Sequence, residues 1–499
     1  MFEARLYTGS DVLNSAHKRS VEHPMISADA VLVPILPEVI LLIAALLVLA
    51  VDTFLGDKRW LTWVGLLGVL AAGVAAYWLA QQPPMDVQGM AVSDAYTTFF
   101  RLVILSVTAL ALLIAMNWLD AHGEKQGEFN GLLLLAAIGM SLMAAATHLL
   151  MVFVALELLS LSLYILAGFE QERATSGEAA LKYLLLGAFS SAIFLYGMAL
   201  MYAATGALDF AGIAQHASLS PLFLVAVGLL IVGFGFKVAA VPFHMWTPDV
   251  YQGAPTPITA FMSVGAKAAG FAAFLRVFVG TLGVERAVWV PVIAGLALLT
   301  MTLGNLAALR QVSLKRMLAY SSIAHAGYML VGLSAANSTG TAAVLFYLLA
   351  YTFMNIGAFA VIIALEKQGE GDVTLSQIRG LARTHPLLAA AMAIFMFSLT
   401  GIPPFAGFFG KLYLFQAAVQ ANLTWLAIAG MLNSAVSAYY YLNVLVQMYM
   451  TREEEPPVLR WRPVLALATG IGVLFVLGIG LYPDVWMHLA KLGMKALLG

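Results

Sequence analysis

Long apolar segments recur along almost the whole chain, and they constrain the fold more than any other feature of the sequence. A helix needs about 20 mainly apolar residues to cross a bilayer. About fourteen such segments can be counted. They lie near residues 31–51, 60–80, 95–118, 129–147, 149–168, 179–204, 221–247, 257–280, 288–309, 314–334, 341–365, 386–419, 422–450 and 463–483. Lipid tolerates only helices or closed barrels, so we predict an all-α polytopic membrane protein with about 14 transmembrane helices.

The composition excludes several other classes of protein. Of the 499 residues, 62% are hydrophobic and 10% are charged, whereas soluble domains are closer to half apolar. A net charge of −1 offers no basic surface, so no nucleic-acid partner is expected. The chain has no cysteine and therefore no thiolate for an iron–sulfur cluster. We expect no cofactor and no metal in this chain itself.

The domain organisation is simple, because no connector is long enough to form a soluble domain. Residues 1–24 are polar and lack the apolar run of a secretory signal. We predict that they form a flexible extension and that residues 25–499 form a single transmembrane domain.

The distribution of basic residues predicts the orientation in the membrane. An even number of spans places both termini on one side, and cytoplasmic connectors carry an excess of lysine and arginine. The connectors opposite the termini hold thirteen of these residues, and the terminus-side connectors and tails hold six. Both termini are therefore predicted to lie on the periplasmic side.

Two apolar segments are unusually long and interrupted by proline. Segment 221–247 contains Pro242, and segment 386–419 contains Pro403 and Pro404. Broken helices at corresponding positions of two halves are typical of inverted-repeat transporters. We predict one repeat over about 129–280 and a second over about 288–450. Both breaks should line a hydrated interior, because unwound backbone at membrane depth must be buried in protein or face water.

Charged residues inside the apolar segments mark the candidate site. A lysine at bilayer depth costs about 2.5–3.5 kcal/mol, so such residues are usually functional. Lys237, Lys267 and Lys411 lie deep in their segments, and a desolvated lysine readily loses its proton. Glu157 lies at mid-span and is either a proton carrier or a neutral, hydrogen-bonded carboxyl. Lys182 either reaches the headgroups or pairs with Glu157, which would couple their protonation.

Two histidines and two arginines complete this set. His244 follows the first proline break and His325 lies within a span. Each is either a possible proton relay that titrates near neutrality or a structural histidine bonded to the backbone. Arg101 and Arg276 cannot relay protons because guanidinium does not deprotonate in proteins, so they should pair with acids or lipid.

Four long motifs carry a family resemblance. They are ALELLSLSLYILAGF, FKVAAVPFHMWTPDVYQGAPTPITAFMSVGAKAAG, LKRMLAYSSIAHAGYMLVG and LTGIPPFAGFFGKLYLF. Together they resemble the subunit N family of bacterial proton-pumping NADH:quinone oxidoreductase, respiratory complex I. The mitochondrial counterpart of that family is NADH dehydrogenase subunit 2. The resemblance covers about residues 34–483.

The resemblance implies a fold and a set of roles. The fold is the antiporter-like fold of fourteen helices, with two inverted five-helix repeats and broken seventh and twelfth helices. Glu157 and Lys182 would be the charge pair, Lys237 the central proton carrier, Lys267 the connector and Lys411 the exit-side lysine.

The resemblance also implies a function. The chain would be a proton-translocating subunit of the bacterial inner membrane, coupled to NADH oxidation and quinone reduction in other subunits. Those partners would hold FMN, the iron–sulfur clusters and the quinone, and neighbouring antiporter-like subunits and the lipid bilayer would surround this chain. A subunit of a cation/proton antiporter without redox coupling is the alternative, since the same fold and lysines would serve it. A purely scaffolding subunit is a third possibility.

Overall fold

Helices dominate the structure, as the apolar segments predict. The computed structural model describes residues 28–54, 58–122, 125–366, 372–451 and 462–499. The helices up to the middle of the chain are α1 (Ala28–Leu32), α2 (Leu36–Asp52), α3 (Arg59–Leu79), α4 (Ala95–His122), α5 (Gln126–Ala145), α6 (Leu149–Ala167), α7 (Ala174–Thr205), α8 (Phe210–His216), α9 (Pro221–Val238), α10 (Trp246–Gly253) and α11 (Thr256–Thr281). The remaining helices are α12 (Arg286–Ala308), α13 (Leu314–Ser334), α14 (Ser338–Leu365), α15 (Leu381–Thr384), α16 (Pro386–Thr400), α17 (Ala406–Gln420), α18 (Thr424–Met450), α19 (Pro463–Leu481) and α20 (Pro483–Leu498).

Every one of the predicted apolar segments contains helix. Within the described part of the chain, ten helices are by themselves long and apolar enough to cross a membrane. Helices α16 and α17 are shorter because they are the two halves of one broken helix. The all-α polytopic fold is confirmed, and the predicted N-terminal extension, residues 1–24, lies outside the described residues.

Two elements differ from the sequence-based expectation. A small antiparallel hairpin joins β1 (Met85–Val87) to β2 (Ala91–Ser93), and its turn has positive φ at Gln88 and Gly89. The C-terminal tail folds as the amphipathic helix α20, which the apolar segments did not indicate. Each element is too short, or too mixed in polarity, to stand out as an apolar segment of spanning length.

The centre of the bundle is formed by α4, α11 and α14. The apolar stretches of α11 and α14 are fully buried, and that of α4 is mostly buried. In contrast, α7, α12 and α19 expose most of their apolar residues at the periphery. A helix that is apolar on all sides is expected inside a large bundle or against lipid, and this chain contains both kinds.

Both proline-containing segments are broken, as predicted. The first break separates α9 from α10 and includes Pro242, and the second separates α16 from α17 and includes Pro403 and Pro404. Each leading helix ends at a residue in the left-handed region, Ala239 (φ 62°) and Gly401 (φ 91°). A left-handed residue closes the last helical turn by letting its N–H bond back to the preceding carbonyls.

The two buried arginines pair with acids, as expected. Arg101 is 1% exposed and donates to both carboxylate oxygens of Glu38 at 2.8 and 2.9 Å. Arg276 donates to both oxygens of Asp94 at 3.2 Å. These pairs connect α4 to α2 and the end of α11 to the start of α4, so they hold the helices of the core together.

Candidate functional site

Lys237 lies at the end of the first broken half-helix, inside the protein. It is the penultimate residue of α9, is 4% exposed, and donates to Ser160 Oγ on α6 at 3.0 Å. Its stem passes over Gly270 of α11, where an added Cβ would lie 3.4 Å from Lys237 Cγ. Lys237 is therefore adjacent to the helix that carries Lys267.

Lys267 lies on α11 directly after a π-helical turn, Met262–Ala266. It is 1% exposed, and its Nζ donates to both the carbonyl oxygen and Oγ of Ser322, each at 2.5 Å. π-helical turns inside α-helices are frequent at functional sites. In this chain the turn directly precedes the lysine that reaches α13.

A polar face of α13 continues from this contact. Ser322, His325 and Tyr328 are spaced three residues apart, so they lie along one side of the helix. His325 is 1% exposed and makes two hydrogen bonds, from Nδ1 to the Tyr347 hydroxyl at 2.6 Å and from Nε2 to the Tyr441 hydroxyl at 3.0 Å. The buried histidine is thus fully hydrogen-bonded between tyrosines of α14 and α18.

Lys411 lies at the other end of this face. It is on α17, directly after the second break, and its ammonium lies 4.8 Å from the centre of the Tyr328 ring. It donates to Thr400 O and to Ser434 Oγ at 2.8 Å each, and to Leu399 O at 3.1 Å. The carbonyls are free because α16 has ended, so the break itself forms the binding site of the lysine.

Four of the predicted site residues lie in succession on neighbouring helices, and they are Lys237, Lys267, His325 and Lys411. Lys267 and Lys411 contact the polar face of α13 that carries His325, and Lys237 packs against α11, the helix that carries Lys267. Buried amines, an imidazole and hydroxyls in sequence are groups that can accept and release protons. We call this set the central row.

Glu157 lies beside the first lysine of the row. It is half-buried on α6 and accepts a hydrogen bond from Ser191 on α7. A small cavity lined by Ser160, Ser191 and Lys237 connects the surroundings of both residues.

The expected ion pair between Glu157 and Lys182 is not formed. Lys182 instead donates to Asp249 on α10 and to Glu178 on its own helix, both at 2.7 Å. The cause is position along α7, because Ser191, which holds Glu157, is nine residues beyond Lys182, or about 13 Å along the helix axis. Side chains also tilt toward the helix N-terminus, so Lys182 points away from Glu157.

Lys182 belongs to a second cluster, which we call the charged pocket. This open pocket of about 370 Å³ is lined by Lys182, Asp249, Gln252, Arg316 and Asp372 among others. Asp249 uses one oxygen for Lys182 and the other for Arg316 at 2.8 Å. Gln252 accepts from Arg316 at 2.7 Å and donates to Asp372. The short helix α10 is therefore held by α7 on one side and α13 on the other.

His244 does not join the central row. It lies half-buried in the first break, and its Nδ1 has no hydrogen-bond partner among the described residues. The break places it in the same connection as Pro242, between α9 and α10. Its role as a relay therefore stays a prediction, as does that of His325, which is hydrogen-bonded at both ring nitrogens.

Several residues of the site were missed by sequence reasoning. Asp249 and Arg316 of the charged pocket and the hydroxyls of Ser322, Tyr347 and Tyr441 were not singled out. Asp249 offered one signal, because it is an acid inside the proline-rich stretch after the first break. The hydroxyls offered none, since serine and tyrosine are common in this chain.

Comparisons with known proteins show the family and the fold of this chain. A family model described as NADH:quinone oxidoreductase/Mrp antiporter, TM, matches residues 146–437. The NADH-quinone oxidoreductase subunit N of Trichlorobacter lovleyi is 48% identical over 92% of this chain and 96% of its own length. A chain of respiratory complex I from Thermus thermophilus is 40% identical, with a TM-score of 0.79 over 91% of this chain and 99% of that one. A chain of the Mrp complex from Dietzia sp. DQ12-45-1b has a TM-score of 0.83 at 23% identity, covering 95% and 100% of the two chains, and shares the fold.

Proposed function

Because this chain belongs to the family of transmembrane subunits of NADH:quinone oxidoreductases and Mrp antiporters, we propose that it translocates protons along the central row as a subunit of NADH:quinone oxidoreductase. It is a multi-pass protein of the bacterial inner membrane. The relative from Trichlorobacter lovleyi is named as subunit N of this enzyme, and the similarity extends over nearly the whole of both chains.

The observation that carries the proposal is the polar face of α13, which Lys267 contacts at one end and Lys411 at the other. Lys267 holds Ser322, His325 follows one turn later, and Tyr328 one turn after that lies against Lys411. Structural needs do not explain three buried lysines, because each pays for desolvation without forming a direct ion pair in the described structure. Proton transfer does explain them.

The proposed path starts with Glu157 and Lys237. A change in the charge of Glu157 alters the proton affinity of Lys237, because opposite charges favour each other's ionised forms. Lys237 then passes a proton through intervening water toward Lys267. Lys267, His325 and Lys411 pass it on through the hydroxyls of α13, α14 and α18. Lys182 influences the entry of protons from the charged pocket, and it does so without an ion pair to Glu157.

The redox chemistry belongs to partner subunits in this proposal. FMN, iron–sulfur clusters and quinone are held by neighbours, and antiporter-like subunits lie against the flanks of this chain. Both termini lie on the periplasmic side, so the charged pocket, at the opposite end of the bundle, faces the cytoplasm.

The deciding experiment exchanges Lys237 in the assembled enzyme. Lys237→Ala removes the proton-carrying amine, and Lys237→Arg keeps the positive charge but cannot release a proton. Both variants should assemble and lose most NADH-driven proton pumping, measured as acidification in inverted membrane vesicles. Normal pumping by Lys237→Arg would exclude Lys237 as a proton carrier, and normal pumping by both would reject the proposal.

The alternative function is a cation/proton antiporter without redox coupling. It is favoured by the family description, which includes Mrp antiporters, and by the shared fold of the Dietzia chain. Copurification separates the two functions. Isolation of this chain with flavin and iron–sulfur subunits supports the oxidoreductase, and sodium-dependent proton exchange by membranes that lack those subunits supports the antiporter.

A further inference from the structure

One face of α7 connects the charged pocket to the cavity beside Lys237. Ala179, Tyr183, Gly187 and Ser191 follow at intervals of four residues, so they line the same side of the helix. Ala179 lines the charged pocket, and Gly187 and Ser191 line the cavity that contains Lys237. Tyr183 is the residue between them on this face.

An aromatic stack fills the space at this point. The Tyr183 ring lies parallel to the Trp246 ring, with centroids 4.6 Å apart and an angle of 7°. The Tyr164 ring meets Tyr183 edge-on at 4.7 Å. The three residues are at most 7% exposed, and we call them the aromatic stack. Tyr164 also lines the cavity, and Tyr183 follows Lys182, which lines the charged pocket, so the stack lies between the two spaces.

The aromatic stack is mechanically linked to the charged pocket. Trp246 and Asp249 are one turn apart on α10, so a movement of this eight-residue helix moves both. Lys182 and Tyr183 are neighbours on α7. The bond from Lys182 Nζ to Asp249 therefore holds the two helices together next to the contact between Tyr183 and Trp246.

The Tyr183 hydroxyl supports a role beyond packing. It is buried, and it has no hydrogen-bond partner among the described residues. A buried hydroxyl without a partner is unfavourable, so a position that keeps one needs a reason. A water that enters between the two spaces would bond to it.

We propose that the aromatic stack is a gate on proton uptake, held closed by the ion pair between Lys182 and Asp249. When Asp249 releases Lys182 and keeps Arg316, α10 moves, Trp246 separates from Tyr183, and water joins the charged pocket to the cavity. A proton from this water then binds neutral Lys237, and the water regains a proton from its neighbour in the pocket. This inference rests on the proposed function, in which Lys237 is the carrier.

The test measures passive proton leak in liposomes that contain the whole purified enzyme. A pH gradient is imposed without NADH, and its decay is followed with a trapped pH dye. Tyr183→Ala and Trp246→Ala open the gate, so the gradient should decay several-fold faster than with the unmodified enzyme. Adding Lys237→Ala to either variant should return the leak to the unmodified rate, because the path then lacks its carrier.

A matched control separates the gate from a general loss of packing. Phe475 stacks on Phe353 at 4.1 Å and 11°, away from the route. Phe475→Ala removes a stack of the same kind and should not increase the leak. A leak of equal size in this control would overturn the proposal, as would tight liposomes and full pumping with Tyr183→Ala.

A smaller change tests the ion pair and covers the case in which the ring deletions prevent assembly. Asp249→Asn keeps the shape but weakens the hold on Lys182, so protons pumped per NADH should fall and the leak should rise. Unchanged values for both would reject the role of Asp249. If Lys237→Ala abolishes pumping while Asp249→Asn and Tyr183→Ala behave normally, the gate is wrong and the proposed function stands; if Lys237→Ala pumps normally, the proposed function itself fails.

Discussion

Lys267 is the residue at which the central row passes from the first repeat to the second. Both of its hydrogen bonds go to Ser322, and no acid offsets the burial of its amine among the described contacts. Burial of an amine without a counter-charge is itself unfavourable, so replacing it with an apolar group of similar length removes that cost and breaks no ion pair. The function and the stability of this residue can therefore be separated.

We expect Lys267→Met to assemble with unchanged or higher thermal stability and to lose most NADH-driven pumping. Light scattering during a thermal ramp and the pH gradient in vesicles give the two values. Lys315 is the control for pumping, because it is a lysine with 1% exposure that lies outside the row, where it bonds to Ala254 O and lies 4.0 Å from Glu366. Lys315→Met should keep the number of protons pumped per NADH, and an equal loss there would argue against a special role for Lys267.

A change at Glu38 should lower the stability and leave pumping intact, which is the reverse of the result expected for Lys267→Met. Glu38→Gln leaves the guanidinium of Arg101 buried without a full counter-charge, and breaking a buried pair in this way costs about 3–5 kcal/mol. We expect a lower unfolding temperature and a lower yield of assembled enzyme, with normal pumping per assembled enzyme. Loss of pumping at normal stability would place this pair on the proton path.

At the residue scale, the sequence identifies buried charges but not their partners. A lysine or glutamate in an apolar segment is visible directly, and Lys237, Lys267 and Lys411 lie buried as expected. The pairing of Lys182 with Asp249 instead depends on a contact between residues 67 positions apart. From the sequence, Glu157 on the preceding span was an equally reasonable partner for Lys182. Only the distance along α7 between Lys182 and the position of Glu157 excludes it.

At the scale of elements, the two helix breaks were predictable because proline cannot continue a helix. The backbone conformation at the ends of the broken helices was harder to predict. Gly401 has the residue type typical of a left-handed helix end, but Ala239 adopts the same conformation with a side chain. The amphipathic helix α20 was missed, since its 16 residues alternate in polarity and do not form an apolar segment.

Gly401 provides a test of how the second break positions Lys411. At φ 91°, an alanine is strained by about 1–2 kcal/mol, and its Cβ would lie 3.0 Å from Lys411 Cδ. Gly401→Ala should lower the unfolding temperature and displace the lysine from Thr400 O, so pumping should fall.

Ala239→Gly is the corresponding change in the first break. Its effect on the unfolding temperature should be opposite to that of Gly401→Ala. Glycine relieves the left-handed strain at φ 62°, which should raise the unfolding temperature. If Gly401→Ala left both stability and pumping unchanged, the break would not fix the position of Lys411.

At the scale of the whole molecule, the central row crosses the protein sideways rather than from one face to the other. Its members lie on α9, α11, α13 and α17, and the fully buried helices α11 and α14 enclose its middle. Hydropathy could predict the bundle, because each span is apolar by itself. It could not predict the row, which exists only after α13 places Ser322, His325 and Tyr328 between lysines of two repeats.

The orientation of the whole molecule determines which compartment supplies the protons. The excess of lysine and arginine in the connectors opposite the termini predicts that the C-terminus lies in the periplasm. α20, with exposed Lys491 and Lys495, then lies at the periplasmic end, and the charged pocket opens to the cytoplasm.

Alkaline phosphatase fused after Gly499 should be active, because it folds only when exported, and green fluorescent protein at the same point should be dark. Fusions within the connector 452–461 serve as the control and should give the reverse pattern. A fluorescent C-terminal fusion would show that the C-terminus lies in the cytoplasm. The charged pocket would then face the periplasm, the side that receives protons, which is incompatible with a gate on proton uptake.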